Sequence, residues 1–196
     1  MYFGWLNGLN LISVILMLIP NIINAMHNKN VMNKCANRLM NLLEQVGRYG
    51  CILFMVLPIG KEDFAFGSVL GLLLYAAFLP ILLAVYLGLW ELELGDKGNW
   101  FPVILIILGL AALTGWLIIP LEMGSPIAVI LLTPALGMLL LKKILPNATR
   151  KTKMAMAIIP VLIFLLCGIT MRHLPLVVSA VLFGIAHPYV TWQNVK

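Results

Sequence analysis

The chain has 196 residues, 62% hydrophobic and 10% charged, with a net charge of +6 from thirteen Lys and Arg against seven Asp and Glu. Apolar runs of membrane-spanning length recur along it, which excludes a soluble globular enzyme and a disordered chain and leaves an integral membrane protein. A nucleic-acid partner is excluded too, because no basic surface with aromatic or helical readers is present.

Alternating barrel strands are absent, and a helix satisfies its backbone groups within one segment. The expected fold is therefore all-α: a polytopic transmembrane helical bundle of about seven spans, with residues 1–196 as a single integral membrane domain. The first span is expected over Tyr2 to Met26, with Tyr2, Phe3 and Trp5 as an interfacial aromatic anchor. The N-terminus has no positive region and no small-residue cleavage site, so this segment should stay as a helix. Asn7, Asn10, Asn21 and Asn24 fall on one a/d-like stripe with Val14 and Met17 between them. Such amides either glue helices together or line a polar path.

A basic loop from His27 to Arg38 leads to the second span, Leu39 to Gly60, which holds Glu44 and Arg48 in an otherwise apolar run. Lys61, Glu62 and Asp63 mark a water boundary after it. Counting back about 20 residues, the length that crosses roughly 30 Å of hydrocarbon, places Arg48 near mid-membrane. At i, i+4 the two charges share a helix face and can pair. Intramembrane charges face a bundle interior, a partner or a water-filled cavity, so the pair is either a structural lock or a solute or proton site.

The third span, Phe64 to Trp90, is longer than needed and must tilt or kink at Pro80; Gly67 and Gly71 form a small-xxx-small patch on it. Glu91 to Trp100 reads as an acidic, solvated linker. Further spans are expected at 101–120, 126–141, 154–171 and 174–192. The last carries Ser179, Phe183, His187 and Thr191 on one ridge, with His187 just before Pro188. Cys35, Cys51 and Cys167 are an odd number in one loop and two spans, without ligand-like spacing to His27, His173 or His187, so they imply neither a disulfide framework nor a metal centre. No cofactor is expected.

An outside N-terminus and a cytoplasmic C-terminus put Lys29, Lys34, Arg38, Lys97, Lys142, Lys143, Arg150, Lys151, Lys153 and Lys196 on the cytoplasmic side, leaving only Lys61 and Arg172 outside. Leu18-Ile-Pro-Asn21 is echoed by Ile144-Leu-Pro-Asn147, which suggests a parallel repeat of 1–90 and 126–196 joined by a linker helix at 101–120. This three-plus-one-plus-three plan is similar in topology to SWEET sugar carriers and to vitamin carriers of the nicotinamide riboside class, and implies a solute path between repeats. The Pro-Gln motif of the SWEET-related group is absent.

Phe183-Gly-Ile-Ala-His187 and Glu44-Gln-Val-Gly-Arg48 resemble elements of the CAAX-protease and bacteriocin-processing membrane family. That resemblance implies a glutamate that activates water, a histidine that helps to hold it, and peptide hydrolysis within the membrane. Leu43 stands where that family has a first glutamate, and no later His-xxx-Asn/Asp follows. Met1 to Asn7 and Gly47 to Cys51 resemble segments of small uncharacterised bacterial inner-membrane proteins, which implies a location in the bacterial cytoplasmic membrane and no particular activity.

The leading expectation is a cavity lined by Asn7, Asn10, Asn21, Asn24, Glu44, Arg48 and His187 that binds or transports a small polar solute, with bends from Pro20, Pro58, Pro80, Pro134 and Pro160. A membrane-embedded hydrolase would require Glu44 and His187 to converge. A non-catalytic scaffold or accessory subunit would show a dry bundle, with a second copy or another membrane protein seated on a lipid-facing groove such as the Gly67/Gly71 face.

Overall fold

The computed structural model describes residues 2–3, 6–27, 35–57, 66, 68–94, 100–118, 124–144 and 149–195. Seven helices dominate: α1 (Gly8–His27), α2 (Arg38–Val56), α3 (Val69–Leu94), α4 (Trp100–Ile118), α5 (Gly124–Ile144), α6 (Arg150–Thr170) and α7 (Leu174–Val195). They are preceded by a short antiparallel pairing of β1 (Tyr2–Phe3) with β2 (Leu6–Asn7). The first helix thus starts at Gly8 rather than Tyr2, and its 20 residues still reach about 30 Å. Five helices, α1, α3, α5, α6 and α7, are long and apolar enough to cross a membrane, the hallmark of a multi-pass integral membrane protein.

Two helix starts lie where side chains replace missing backbone partners. The Asn37 side chain accepts from the Met40 amide and begins α2. Thr149 and Thr152 form a reciprocal capping box, so α6 begins at Arg150 and takes the basic residues Arg150, Lys151 and Lys153 into its first turns. The α6–α7 turn closes through Arg172 at a positive φ of 54° and a hydrogen bond from the His173 amide to the Gly168 carbonyl.

At the end of α3 the structure corrects the linker expectation. Glu91 and Glu93 are helical, and Glu91 is only 2% exposed. Lys142 of α5 pairs with Glu91 at 3.5 Å, and Lys153 of α6 pairs with Glu93 at 2.8 Å. These cations let the helix carry its carboxylates past Trp90 instead of releasing them to water.

The main packings are α2 on α7, α7 on α6, α6 on α3, α3 on α5 and α5 on α4, while α1 touches both α2 and α3. Helices α1, α2, α7, α6 and α3 therefore close into a ring, with α5 and α4 set against its α3 side. Residue pairings give the directions. Asn10 meets Tyr75 and Asn21 meets Tyr86, each 65 residues on, so α1 and α3 are parallel. Glu44 meets His187 and Gly47 meets Phe183, so α2 and α7 are antiparallel. Lys142 beside Glu91 and Gly137 beside Ala84 make α3 and α5 parallel.

Close helix approach depends on small residues. A Cβ at Gly47 would lie 2.6 Å from the Phe183 amide nitrogen, and one at Gly137 would lie 2.7 Å from the Ala84 carbonyl oxygen. Backbone cannot yield as a flexible side-chain tip can, so both crossings require glycine. Gly71 packs against the Thr170 carbonyl of α6 within the chain; Gly67 lies outside the described residues. Cys51 and Cys167 are fully buried in the apolar core.

Candidate functional site

The α2–α7 crossing sets the site. Because Gly47 lets the α7 backbone approach so closely, the residues one turn to either side are forced together: Glu44 reaches His187, and Gly50 packs on Ser179. Ser179, Phe183 and His187 do share one ridge, and that ridge faces α2.

Glu44 is 5% exposed and accepts two hydrogen bonds on one oxygen, Oε1. One comes from Arg48 Nη2 in its own helix. The other comes from His187 Nδ1 at 2.8 Å. An ionised carboxylate only accepts, so the hydrogen of the His187 contact sits on Nδ1, an assignment made from the hydrogen-bond pattern. The His187 ring stacks on Phe183 with centroids 4.5 Å apart, and the Arg48 guanidinium lies 6.0 Å from the same Phe183 ring centre.

A cavity of about 110 Å³ adjoins this cluster, and all five ring helices wall it. Its polar wall consists of Arg48, His187, Asn21 and Tyr86, against Met17, Pro160 and Phe164 among its apolar residues. Asn21 Nδ2 donates to the Met17 carbonyl at 2.7 Å and to the Tyr86 hydroxyl at 2.9 Å, which fixes this rim. A second cavity of about 240 Å³ shares Asn21, Tyr86 and His187 with the first and extends to Asn24, Thr191, Trp90 and the Glu93–Lys153 pair. The two lie side by side between the Glu44 cluster and the Lys153 end of the bundle.

The expected lining is thus assembled in part. Glu44, Arg48, His187, Asn21 and Asn24 come together. Asn10 does not: it is fully buried about three helical turns away, donating to the Met55 carbonyl at 2.9 Å and accepting from the Tyr75 hydroxyl at 2.7 Å. It joins α1, α2 and α3 as interhelical glue. Asn7 lies in β2, and its side chain is outside the described residues, as is Pro58. Tyr86 was not anticipated, although its spacing from Tyr75 repeats that of Asn21 from Asn10 and carried the signal. Comparisons with protein-family models, curated proteins and solved structures give no match to this chain.

Proposed function

We infer that this multi-pass membrane protein binds, and passes across the bilayer, a small polar solute held at Arg48, His187 and Asn21, with Glu44 orienting the Arg48 and His187 side chains. The observation that carries this reading is the convergence of polar groups from α1, α2, α3 and α7 on one cavity that shares Asn21, Tyr86 and His187 with a second. Buried polar groups in lipid cost free energy, and a scaffold has no need of a polar cavity. The alternating helix directions support seven spans, with α2 and α4 crossing as well, in the bacterial cytoplasmic membrane with the N-terminus outside and the C-terminus cytoplasmic. Helix α2 must cross because parallel α1 and α3 flank it in the chain. The Lys153 end then faces the cytoplasm.

The test is a thermal-shift screen of the protein in lipid nanodiscs against polar metabolites, repeated with Glu44→Gln and Arg48→Gln. A ligand that stabilises the wild type and neither folded variant supports the site, since binding to the native state raises its stability. No response from any metabolite, with large stability loss in both variants, assigns the cluster to helix packing.

A second reading, membrane-embedded hydrolysis, is favoured by the 2.8 Å contact between Glu44 and His187. Glu44 would act as general base on a water in the adjoining cavity, with His187 positioning it. Cleavage of membrane-spanning fluorogenic peptides by the wild type, abolished in Glu44→Gln, would select this reading; no cleavage across a broad panel would dismiss it.

A further inference from the structure

We propose that the cavity beside Arg48 and His187 takes a small monocarboxylate together with one proton, a substrate class that rests on the solute-binding reading above. Three observations carry it.

The first is the balance of charge. Arg48 and Glu44 cancel, so with a neutral imidazole the cluster has no net charge, and an entering anion would leave one uncompensated negative charge in a low-dielectric interior. That is costly unless a counter-charge arrives with it. The second is the wiring of His187. Its Nδ1 hydrogen is committed to Glu44, which leaves Nε2 as the position that takes up a proton, and no hydrogen bond engages Nε2 among the described residues. Protonation there gives the cluster one positive charge, and the imidazolium stays stacked on Phe183.

The third is the supply of donors. Among the described residues Arg48 makes one hydrogen bond, through Nη2 to Glu44, and a guanidinium carries five N–H donors in a planar fork. The remaining edge suits a carboxylate, which it can grip with two parallel bonds. Size agrees. An apolar cavity of about 150 Å³ accommodates a benzene ring, so one of about 110 Å³ matches a ligand of about four or five heavy atoms. Acetate, with four heavy atoms, falls in this range, formate with three is just smaller, and a longer chain would extend toward Asn24 and Thr191.

The titratable and charged groups around His187 are Glu44 and Arg48 from α2, Tyr86 and, in the second cavity, Glu93 from α3, and Lys153 from α6; α1 presents only the amides Asn21 and Asn24. Glu93 and Lys153 are paired with each other and add no net charge. His187 is therefore the group in the cluster whose charge changes as the anion binds. The overall step is neutral: anion and proton enter together, and both leave together.

The experiment measures the apparent affinity for acetate and formate across pH, from ligand-dependent thermal midpoints of the full chain in lipid nanodiscs. One proton per anion predicts that wild-type affinity falls about tenfold for each pH unit on the alkaline side. His187→Gln, which keeps a donor for Glu44, should bind more weakly and with a flat profile. Because the wild-type slope is informative alone, a variant that fails to fold does not leave the idea untested. Carboxylate binding with no pH dependence in the wild type overturns the coupled proton and leaves the polar site standing. An unchanged slope in folded His187→Gln moves the proton to the ligand or another group, and also overturns the proposal. Response to neutral or zwitterionic metabolites with none to carboxylates overturns the substrate class alone, and no response to any probe removes the solute-binding reading with it.

Discussion

Glu44 and His187 lie 143 residues apart in the chain and meet at 2.8 Å, on the same carboxylate oxygen that holds Arg48. One acceptor thus ties the second helix to the last. Glu44→Ala leaves both donors without it and, with the Arg48 side chain 38% exposed, should cost less than the ~3–5 kcal/mol of a fully buried ion pair but more than Glu44→Gln. Glu44→Gln keeps a carbonyl acceptor and should cost about 1–3 kcal/mol. Reversible unfolding in mixed micelles measures both, and equal losses would mean that charge contributes little to this contact.

The Gly47 crossing separates assembly of the site from general packing. Gly47→Val drives a side chain into the Phe183 backbone, so it should cost about 1–3 kcal/mol and abolish ligand-induced stabilisation by parting Glu44 from His187. Gly137→Val makes a comparable clash between α5 and α3, away from the cavity. It should lower the thermal midpoint by a similar amount while ligand stabilisation persists. A Gly47 variant that binds ligand normally would remove the crossing from the argument.

Two Asn–Tyr contacts share a separation of 65 residues but opposite hydrogen-bond directions, and they have different expected roles. Tyr75→Phe removes the donor to buried Asn10 and should cost about 0.6–2 kcal/mol without altering ligand response. Tyr86→Phe removes a hydroxyl from the cavity rim and should weaken ligand binding at smaller cost in stability. Ligand-dependent midpoints on both variants decide this, and a reversed pattern would place the site at the Asn10 end.

Lys153 and Glu93 line the second cavity, with side chains 41% and 25% exposed. Exposed pairs contribute about 0–1 kcal/mol. Lys153→Gln should therefore hardly change unfolding, yet slow the binding of an anionic solute. Stopped-flow binding reads the rate, and an unchanged rate would place entry elsewhere.

Orientation is open to direct labelling. In intact cells a membrane-impermeant maleimide should label a cysteine introduced at Asp63 in a background lacking Cys35, Cys51 and Cys167, and should label Lys196→Cys only after permeabilisation. The opposite pattern would invert the topology and place the Lys153 end outside.

Much of this architecture is legible in the sequence because membrane helices are specified by local quantities. Length and hydropathy set the spans, and the Glu44–Arg48 pair follows from i, i+4 spacing alone. What fails is the part decided by distant partners. Glu91 and Glu93 look solvated until lysines 51 and 60 residues away are placed beside them. Asn10 and Asn21 share a helix face, but a face does not say which end meets the charged turn. His187 is visible as part of a ridge; that Glu44 lies opposite follows only from the antiparallel α2–α7 crossing, which one-dimensional periodicity does not encode. Tyr86 sits in a run so uniformly apolar that it shows no polar face, and only its spacing from Tyr75 marks it.

The placement of α2 against α7 also bears on how the chain is made. Helix α2 carries Glu44 and Arg48 in its interior, and its principal partner, α7, is synthesised only after α3, α4, α5 and α6. In the seven-span topology proposed above it resides in lipid without that partner until then, with Glu44 and Arg48 neutralising each other inside one segment. The ion pair is then an insertion device before it is part of any site, and a nascent chain stopped short of α7 should be a favoured target for membrane quality-control proteases.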